Sequence, residues 1–266
     1  QKADPAVLAR AQKLCKAVAS LGPVAVKVGQ TLSQRPDLVG REASLALQRL
    51  TTQNEPYPAE WALAVMQEAY QNTHIAPGMG SGSQTPVFAS ITADPVACAS
   101  LGQVYKATTY DGRLVAVKVQ RPDAMATLAL DWHCFRLVFA LRQWLRTTFG
   151  GPLDSDEIIR GKQNVASVID RVGSDILNEL EYELEAQNAI EFQKALSKML
   201  GFVTIPDAVP EYSHQRVLVT EWIAGRHLDA IEETQEGLAM TRMAVEACTA
   251  SMVLTGLVHA DPHQGN

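Results

Sequence analysis

The sequence contains no apolar run of the roughly 18 residues that a membrane-spanning helix requires. Its longest candidate, residues 135–145, is interrupted by Arg136 and Arg142. Positive charge is also scarce, since 23 lysines and arginines stand against 29 aspartates and glutamates, for a net charge of −6. A dedicated nucleic-acid binder would carry a basic face, so no nucleic-acid partner is expected.

Closely spaced cysteines are missing too. The four cysteines, Cys15, Cys98, Cys134 and Cys248, form no CxxC pair. We interpret them as reduced structural thiols rather than as a zinc site or a disulfide framework. The first ten residues resemble neither a signal peptide nor a transit peptide, and the last ones stop without a helix end. We therefore expect both ends to be cuts in a longer protein.

The chain does have an apolar content of 47%, which is enough for a sizeable core. Apolar spacing near the helical period predicts helices at residues 6–21, 24–33, 41–50, 58–70, 123–147, 174–200 and 234–255. Alternating or short apolar runs predict strands at residues 88–92, 103–108, 114–119 and 216–222, with a hairpin turn at Tyr110-Asp111-Gly112. A small sheet preceded and interrupted by helices indicates an α+β, two-lobe plan.

The helix predicted at residues 123–147 is apolar on more than one face. Leu130, Leu137 and Leu141 belong to one stripe, and Leu128 and Trp132 belong to another. Broad apolar helices are usually buried, so we expect this helix to pack in the core rather than to contact lipid.

Residues 97–104, ACASLGQV, fit a degenerate form of the phosphate-binding loop pattern G-x-G-x-x-G-x-V. Alanines replace the first two glycines of the pattern. Glycines let backbone N–H groups approach phosphates closely, so the two alanine Cβ atoms are expected to obstruct that approach and to stiffen the loop. The candidate nucleotide-binding residues of this loop are Ala97, Cys98, Ala99, Ser100, Gly102 and Val104.

Lys118, the last residue of VAVK, is predicted on a strand, where it can pair with the α- and β-phosphates of a nucleotide. Such a lysine needs a carboxylate to orient it. Glu181 and Glu185 are four residues apart and share a helix face, whereas Glu179 lies about 200° around from Glu181 at roughly 100° per residue. All three can face one site only if the helix breaks or begins between them. The alternatives are a strand-edge lysine in water and a solvated acidic helix face.

A second apolar strand, in VLVTEWIAG at residues 217–225, ends where Glu221 and Ile223 could offer backbone groups to an adenine edge. Taken alone, this segment is an ordinary strand end.

The final residues, HADPHQGN, match H-x-D-x-x-x-x-N, the catalytic loop of protein kinases. Asp261 could act at the acceptor hydroxyl, and Asn266 could bind a metal ion that bridges the phosphates. A polar loop, or a metal site made of His259, Asp261 and His263, remain alternatives. Because loop, strand lysine, helix glutamate, strand end and catalytic loop occur in kinase order, the sequence predicts a kinase-like nucleotide site.

With KVGQ at residues 27–30, these motifs make the chain resemble the UbiB family of atypical kinase-like proteins, also called the ADCK type. KxGQ is the family signature, and ordinary kinases have neither it nor an alanine-rich loop. The resemblance implies that Lys27 and Gln30 lie over the nucleotide site, on an extension that occludes the place of a protein substrate. It also implies that Glu179 and Glu181 form the E-x-D pair, with Glu181 replacing aspartate, and that Glu185 pairs with the catalytic lysine.

The implied fold is an α+β, protein kinase-like, two-lobe fold with a helical N-terminal KxGQ extension. The extension would cover residues 1–75, and the N-lobe would cover residues 76–222 with a helical insert at 123–170. The hinge and the start of the C-lobe would cover residues 223–266. The C-lobe would be truncated after the catalytic loop, because the metal-binding aspartate of DFG is expected further downstream.

The implied function is that of an ATP- or ADP-binding, Mg²⁺-dependent atypical kinase or ATPase in isoprenoid-quinone or other prenyl-lipid metabolism. Prenyl-lipid or quinone-pathway partners and a membrane surface are implied with it, and a plastid location is favoured over a mitochondrial one. The alternatives are a phosphotransferase of the aminoglycoside or choline kinase type, against which the KxGQ segment argues, and a non-catalytic nucleotide-gated scaffold. Conventional protein kinase activity in trans is least expected.

Overall fold

The structure, a computed structural model, describes residues 5–33, 36–47, 50, 56–71, 74–79, 85–98, 101–149, 173–174, 177–196, 201–225 and 234–257. The helices are α1 (Pro5–Ser20), α2 (Pro23–Ser33), α3 (Pro36–Val39), α4 (Arg41–Leu47), α5 (Ala59–Ala69), α6 (Ala124–Phe149), α7 (Tyr182–Leu196) and α8 (Gln235–Ala250). The strands are β1 (Ser90–Ile91), β2 (Ala97–Cys98), β3 (Gly102–Thr108), β4 (Leu114–Gln120) and β5 (Val217–Glu221). A short 3₁₀ helix covers Pro210–Tyr212, and a π-helical turn, Ser251–Thr255, extends α8.

The helices of the N-terminal segment pack closely because small residues lie at their contacts. Gly22, at a φ of +104°, ends α1, and Pro23 begins α2. Gly29, the glycine of KVGQ, has no room for a side chain, because a Cβ there would lie 2.7 Å from Leu50 Cδ1 and 3.1 Å from Val18 Cγ1. This glycine therefore allows α2 to approach its neighbours.

Gln30 is buried inside the same helical segment. Its Nε2 donates to the carbonyl of Leu50 at 2.9 Å, and its own carbonyl accepts from Ser33 Oγ at 2.6 Å. Ser44 Oγ in turn donates to the carbonyl of Ser33 at 2.6 Å. The resemblance implies that Gln30 lies over the nucleotide site. In the structure its amide nitrogen is hydrogen-bonded to the Leu50 carbonyl.

The sheet is antiparallel, with β3 between β4 on one side and both β1 and β2 on the other, and β5 completes the β4 edge. The predicted hairpin is confirmed, since β3 and β4 pair along their whole length around the Tyr110–Gly112 turn. Gly112 has a φ of +86°, a conformation that glycine adopts without strain.

One face of the sheet builds the main core. Alternate residues of β3, β4 and β5 point to this face, and α5 covers it with Ala62, Val65 and Met66. The strand residues on this face are Tyr105, Ala107, Val115, Val117, Val119, Val217 and Val219. The opposite face carries Lys118, so the sheet separates an apolar core from the candidate site.

A second, smaller apolar cluster joins the N-terminal helix α2 to α6 and to the residues just before α7. It contains Val24 of α2, Leu101, Ala124 and Leu128 of α6, and Leu180 just before α7. The cluster brings α2 to the side of the sheet from which α7 starts.

Two expectations from the sequence are wrong. The strand expected at residues 88–92 is reduced to Ser90–Ile91, because the Val87 and Phe88 N–H groups donate to the carbonyls of His74 and Ile75 rather than to β3. The helix at 124–149 was expected in the core, but Leu130, Leu137 and Leu141 are 63%, 62% and 53% exposed. Within the described residues, no helix is long and apolar enough to cross a membrane.

We predict that Gln30→Met destabilises the protein by about 1–3 kcal/mol, because it removes the donor of a buried hydrogen bond while keeping the side-chain volume. Urea denaturation would measure the change in the free energy of unfolding. Gln12→Met, at an exposed position of α1, is the matched control, and equal stability of the two variants would contradict the prediction.

Candidate nucleotide site

Lys118 and Glu185 meet at the face of the sheet opposite the main core. Lys118 Nζ lies 2.7 Å from Glu185 Oε1 and 2.6 Å from Oε2. The two side chains are 29% and 42% exposed, so the pair is open to a ligand on one side. The predicted strand lysine and helix carboxylate are therefore brought together, whereas their role in binding a nucleotide stays a prediction.

The register of the sheet shows which residues of the neighbouring strands lie in line with Lys118. Ala97 of β2 lies opposite Val104 of β3, Val104 opposite Lys118 of β4, and Lys118 opposite Leu218 of β5. Residues that face one another across neighbouring strands point to the same face. Ala97 and Val104 thus share the sheet face of Lys118.

The helix expected at residues 174–200 does not run continuously, because the backbone turns at Leu180 before α7 begins at Tyr182. The Leu180 and Glu181 N–H groups donate to the carbonyls of Leu177 and Asn178 at 3.0 and 3.1 Å. Gln120 Nε2, from the end of β4, donates to the Leu180 carbonyl at 2.9 Å. The helix therefore breaks between Glu179 and Glu185, which is the condition for all three glutamates to face one site.

Because of the break, Glu179, Glu181 and Glu185 have different surroundings. Glu179 Oε1 lies 2.7 Å from Lys27 Nζ of α2, so the KVGQ helix is tied to the turn before α7. Glu181 is exposed, and among the described residues its carboxylate has no ion-pair partner. Of the two residues of the implied E-x-D pair, Glu179 thus forms an ion pair with the KVGQ helix and Glu181 forms none among the described residues.

The loop residues are described only in part. Cys98 is half-buried on β2, and burial raises the pKa of its thiol, which disfavours the reactive thiolate. Ala99 and Ser100 lie outside the described residues.

Gly102, the third glycine of the pattern, is needed for packing. A Cβ at this position would lie 2.7 Å from the Val119 carbonyl oxygen and 2.7 Å from Tyr182 Oη. The loop pattern indicated only phosphate binding for Gly102, and no motif pointed to Tyr182. Tyr182 lies three residues before Glu185, and that spacing, which puts the two on one helix face, was the available signal.

The strand end at Glu221 has part of its backbone already bonded. The Glu221 N–H donates to the Asp207 carbonyl at 2.8 Å, and the Trp222 N–H donates to the Leu114 carbonyl at 3.0 Å. An adenine contact at Glu221 would therefore use its carbonyl. Ile223 follows with a side chain that is 42% exposed.

The predicted catalytic loop, with His259, Asp261, His263 and Asn266, lies outside the described residues. In the described ranges, no group of three or more histidine, cysteine, aspartate or glutamate side chains could hold a metal ion. The role of Asn266 as a metal ligand stays a prediction.

A cavity of about 220 Å³ opens beside α2 and α6. It is lined by Val24, Leu128, Trp132, His133, Arg136 and Leu177, among others. None of the predicted site residues lines it, so we locate the candidate site by the lysine–glutamate geometry and not by this cavity.

Residues 65–266 match the ABC1 atypical kinase-like domain. This match covers more than half of the chain, so the protein belongs to the ABC1 atypical kinase-like family, and the resemblance to UbiB proteins is confirmed. The kinase-like class of the fold, with mixed helices and an antiparallel sheet, is confirmed as well.

Several plant and cyanobacterial proteins are similar to the chain. A chloroplastic aarF domain-containing protein kinase of Arabidopsis thaliana is 33% identical over 100% of this chain and 34% of its own length. The chloroplastic ACTIVITY OF BC1 COMPLEX KINASE 3 of Arabidopsis thaliana is 33% identical over 97% of this chain and 34% of its own length. A Synechocystis protein, sll0005, is 33% identical over 99% of this chain and 36% of its own length. The chain thus spans about a third of the length of these relatives.

A solved structure also matches the fold. Rv3197 of Mycobacterium tuberculosis, solved in complex with erythromycin, is 32% identical and has a TM-score of 0.58. The match covers 97% of this chain and 60% of that chain.

We predict that Gly102→Ala destabilises the protein by about 1–3 kcal/mol, because the new methyl group overlaps a backbone oxygen that cannot move aside. Gly201→Ala, where a Cβ meets nothing within 4 Å, is the matched control. Urea denaturation of both variants would measure the loss, and a Gly102→Ala protein as stable as the control would contradict the packing role.

Proposed function

We propose that the chain is the nucleotide-binding part of an ATP-dependent atypical kinase or ATPase that acts in prenyl-lipid or quinone metabolism. The observation that carries the nucleotide part is the contact of Lys118 Nζ with both carboxylate oxygens of Glu185 at 2.6–2.7 Å. A lysine on a strand of the kinase N-lobe, held by a helix glutamate, is the arrangement that contacts the α- and β-phosphates of ATP.

The other residues take the roles that kinase chemistry assigns to their positions. Val104 would lie against the nucleotide base, and the Glu221 carbonyl and the Ile223 backbone would meet the adenine edge. Asp261 would accept the proton of the acceptor hydroxyl, and Asn266 would hold Mg²⁺, which neutralises charge on the phosphates when bound. We retain the proposed division into an extension, an N-lobe with an insert, and the start of a C-lobe.

The lipid part of the proposal rests on the family. Relatives of the chain in Arabidopsis thaliana are described as chloroplastic, which supports a plastid or plastid-type location for this protein. A small-molecule phosphotransferase and a non-catalytic nucleotide-gated scaffold are the competing functions. The KVGQ helix, tied to the site by Lys27 and Glu179, favours the proposed function over the phosphotransferase.

We predict Mg²⁺-dependent ATP hydrolysis by the full-length protein that Asp261→Asn reduces at least 100-fold, because a general base contributes about 10²–10⁴-fold to such reactions. Asp94→Asn, an exposed aspartate, is the matched control. Hydrolysis would be measured with and without liposomes that contain prenyl lipids, and an increase with the lipid supports the lipid part. Tight ATP binding without Asp261-dependent turnover would favour the scaffold instead.

We further propose that the Lys27–Glu179 ion pair restrains the enzyme by holding α2 against the turn before α7. A pair of this exposure, 16% and 40%, contributes at most about 1 kcal/mol. We therefore predict that Lys27→Ala raises turnover of the full-length protein by up to about fivefold. Steady-state ATP hydrolysis checks this, with Lys13→Ala on the exposed side of α1 as the control. Unchanged or lower turnover by Lys27→Ala would reject the restraint.

A further inference from the structure

Tyr182 is the most buried large side chain in contact with the candidate site. Its side chain is 1% exposed, and the Lys118 ammonium lies over its ring at 4.8 Å from the ring centroid. Glu185 follows on the same face of α7, so the ammonium of Lys118 is held between a carboxylate and an aromatic face. Two side chains of one helix turn thus define where the lysine can lie.

The position of the Tyr182 ring is itself set by the sheet. Its hydroxyl end abuts Gly102, where a Cβ would lie 2.7 Å from Oη. The ring therefore spans from the start of β3 to the lysine of β4, and the absence of a side chain at Gly102 makes room for it. A larger residue at position 102 would displace the ring from beneath the ammonium.

The hydroxyl of Tyr182 does not account for the presence of a tyrosine at this buried position. It is buried and has no hydrogen-bond partner among the described residues. Burial, and secondly the negative charge of Glu185, raise the pKa of this phenol well above its ordinary value, so the phenol keeps its proton. An unpaired buried hydroxyl is unfavourable, and the contact of this residue with Lys118 is made by its ring.

We propose that Tyr182 is a positioning residue for Lys118, and that its ring face, more than its hydroxyl, holds the ammonium where the phosphates of the nucleotide would bind. The proposal that this position serves a nucleotide rests on the function proposed above. The packing of Lys118 on the Tyr182 ring does not depend on the proposed function. The packing and the nucleotide role are therefore tested separately.

The packing is tested in the full-length protein without any nucleotide, by NMR of lysine labelled with ¹³C at Cε. The Lys118 signal is assigned by its loss in Lys118→Arg. In the wild type we expect the Cε protons to be shifted upfield by the ring. Tyr182→Leu should abolish the shift and Tyr182→Phe should keep it. An upfield shift that persists in Tyr182→Leu overturns the proposal.

The consequence for function is tested by ATP affinity. Tyr182→Leu should weaken ATP binding about tenfold, within the range of cation–π contacts at partly buried sites, whereas Tyr182→Phe should restore it to within about twofold. Phe88→Leu removes an equally buried aromatic residue from the core on the other face of the sheet. It controls for lost stability, and it should lower the melting temperature without weakening ATP binding.

A double-mutant cycle with Lys118→Met separates positioning from a general structural role. If Tyr182 acts through Lys118, Tyr182→Leu weakens binding little further in the Lys118→Met background. Additive losses, or equal losses from Tyr182→Leu and Phe88→Leu, overturn the proposal. If the wild type binds no nucleotide, the proposed function is rejected, and the NMR result alone decides whether Tyr182 positions the lysine.

Discussion

The contact between Lys118 and Glu185 joins the sheet to α7, and the arrangement of the surrounding elements is what allows these two groups to meet. A partly exposed ion pair contributes at most about 1 kcal/mol, so it cannot draw a strand and a helix together by itself. The packing behind it has to bring them within reach. Val115, Val117 and Val119 anchor β4 in the main core, and the buried amide of Gln120 holds the turn at Leu180 from which α7 starts.

The turn at Leu180 also contacts the N-terminal helix α2. Within two consecutive residues, the Glu179 carboxylate contacts Lys27, the Leu180 side chain joins the second apolar cluster, and the Leu180 carbonyl accepts from Gln120 of β4. A displacement of α2 would therefore act first on Glu179 and Leu180, which lie six and five residues before Glu185. The KVGQ helix needs no contact with a nucleotide to influence the site.

Local patterns predicted those parts of the structure that depend on neighbouring residues. The β3–β4 hairpin followed from a turn sequence between two apolar runs, and the pairing of Lys118 with Glu185 followed from kinase order and from the resemblance. Helix geometry alone showed that Glu179, Glu181 and Glu185 could face one site only if the helix broke or began between them. The location of the break did not follow from the sequence, because Gln120 stabilises the turn from 60 residues away.

Other features depend on what packs against them, which a single sequence does not show. The apolar stripes of α6 predicted burial, but only Leu128 and its near neighbours meet the second cluster, while Leu137 and Leu141 remain exposed. Gly102 fitted a phosphate-loop pattern, although its surroundings require a glycine for a steric reason that involves Val119 and Tyr182. The roles of Asp261, Asn266 and Ala99 lie outside the described residues and stay predictions.

The short hairpin turn between β3 and β4 has a consequence for the chemistry of the whole domain. Side chains alternate between the two faces of a strand, so a shift of pairing by one residue moves every side chain to the opposite face. After such a shift, Lys118 would point into the main core and Val117 or Val119 would take its place among the polar groups. The Thr109–Arg113 hydrogen bonds and the left-handed Gly112 hold the turn at one length. Insertions or deletions of a single residue are therefore far less tolerable in this surface turn than in an ordinary loop, although the turn itself touches no ligand.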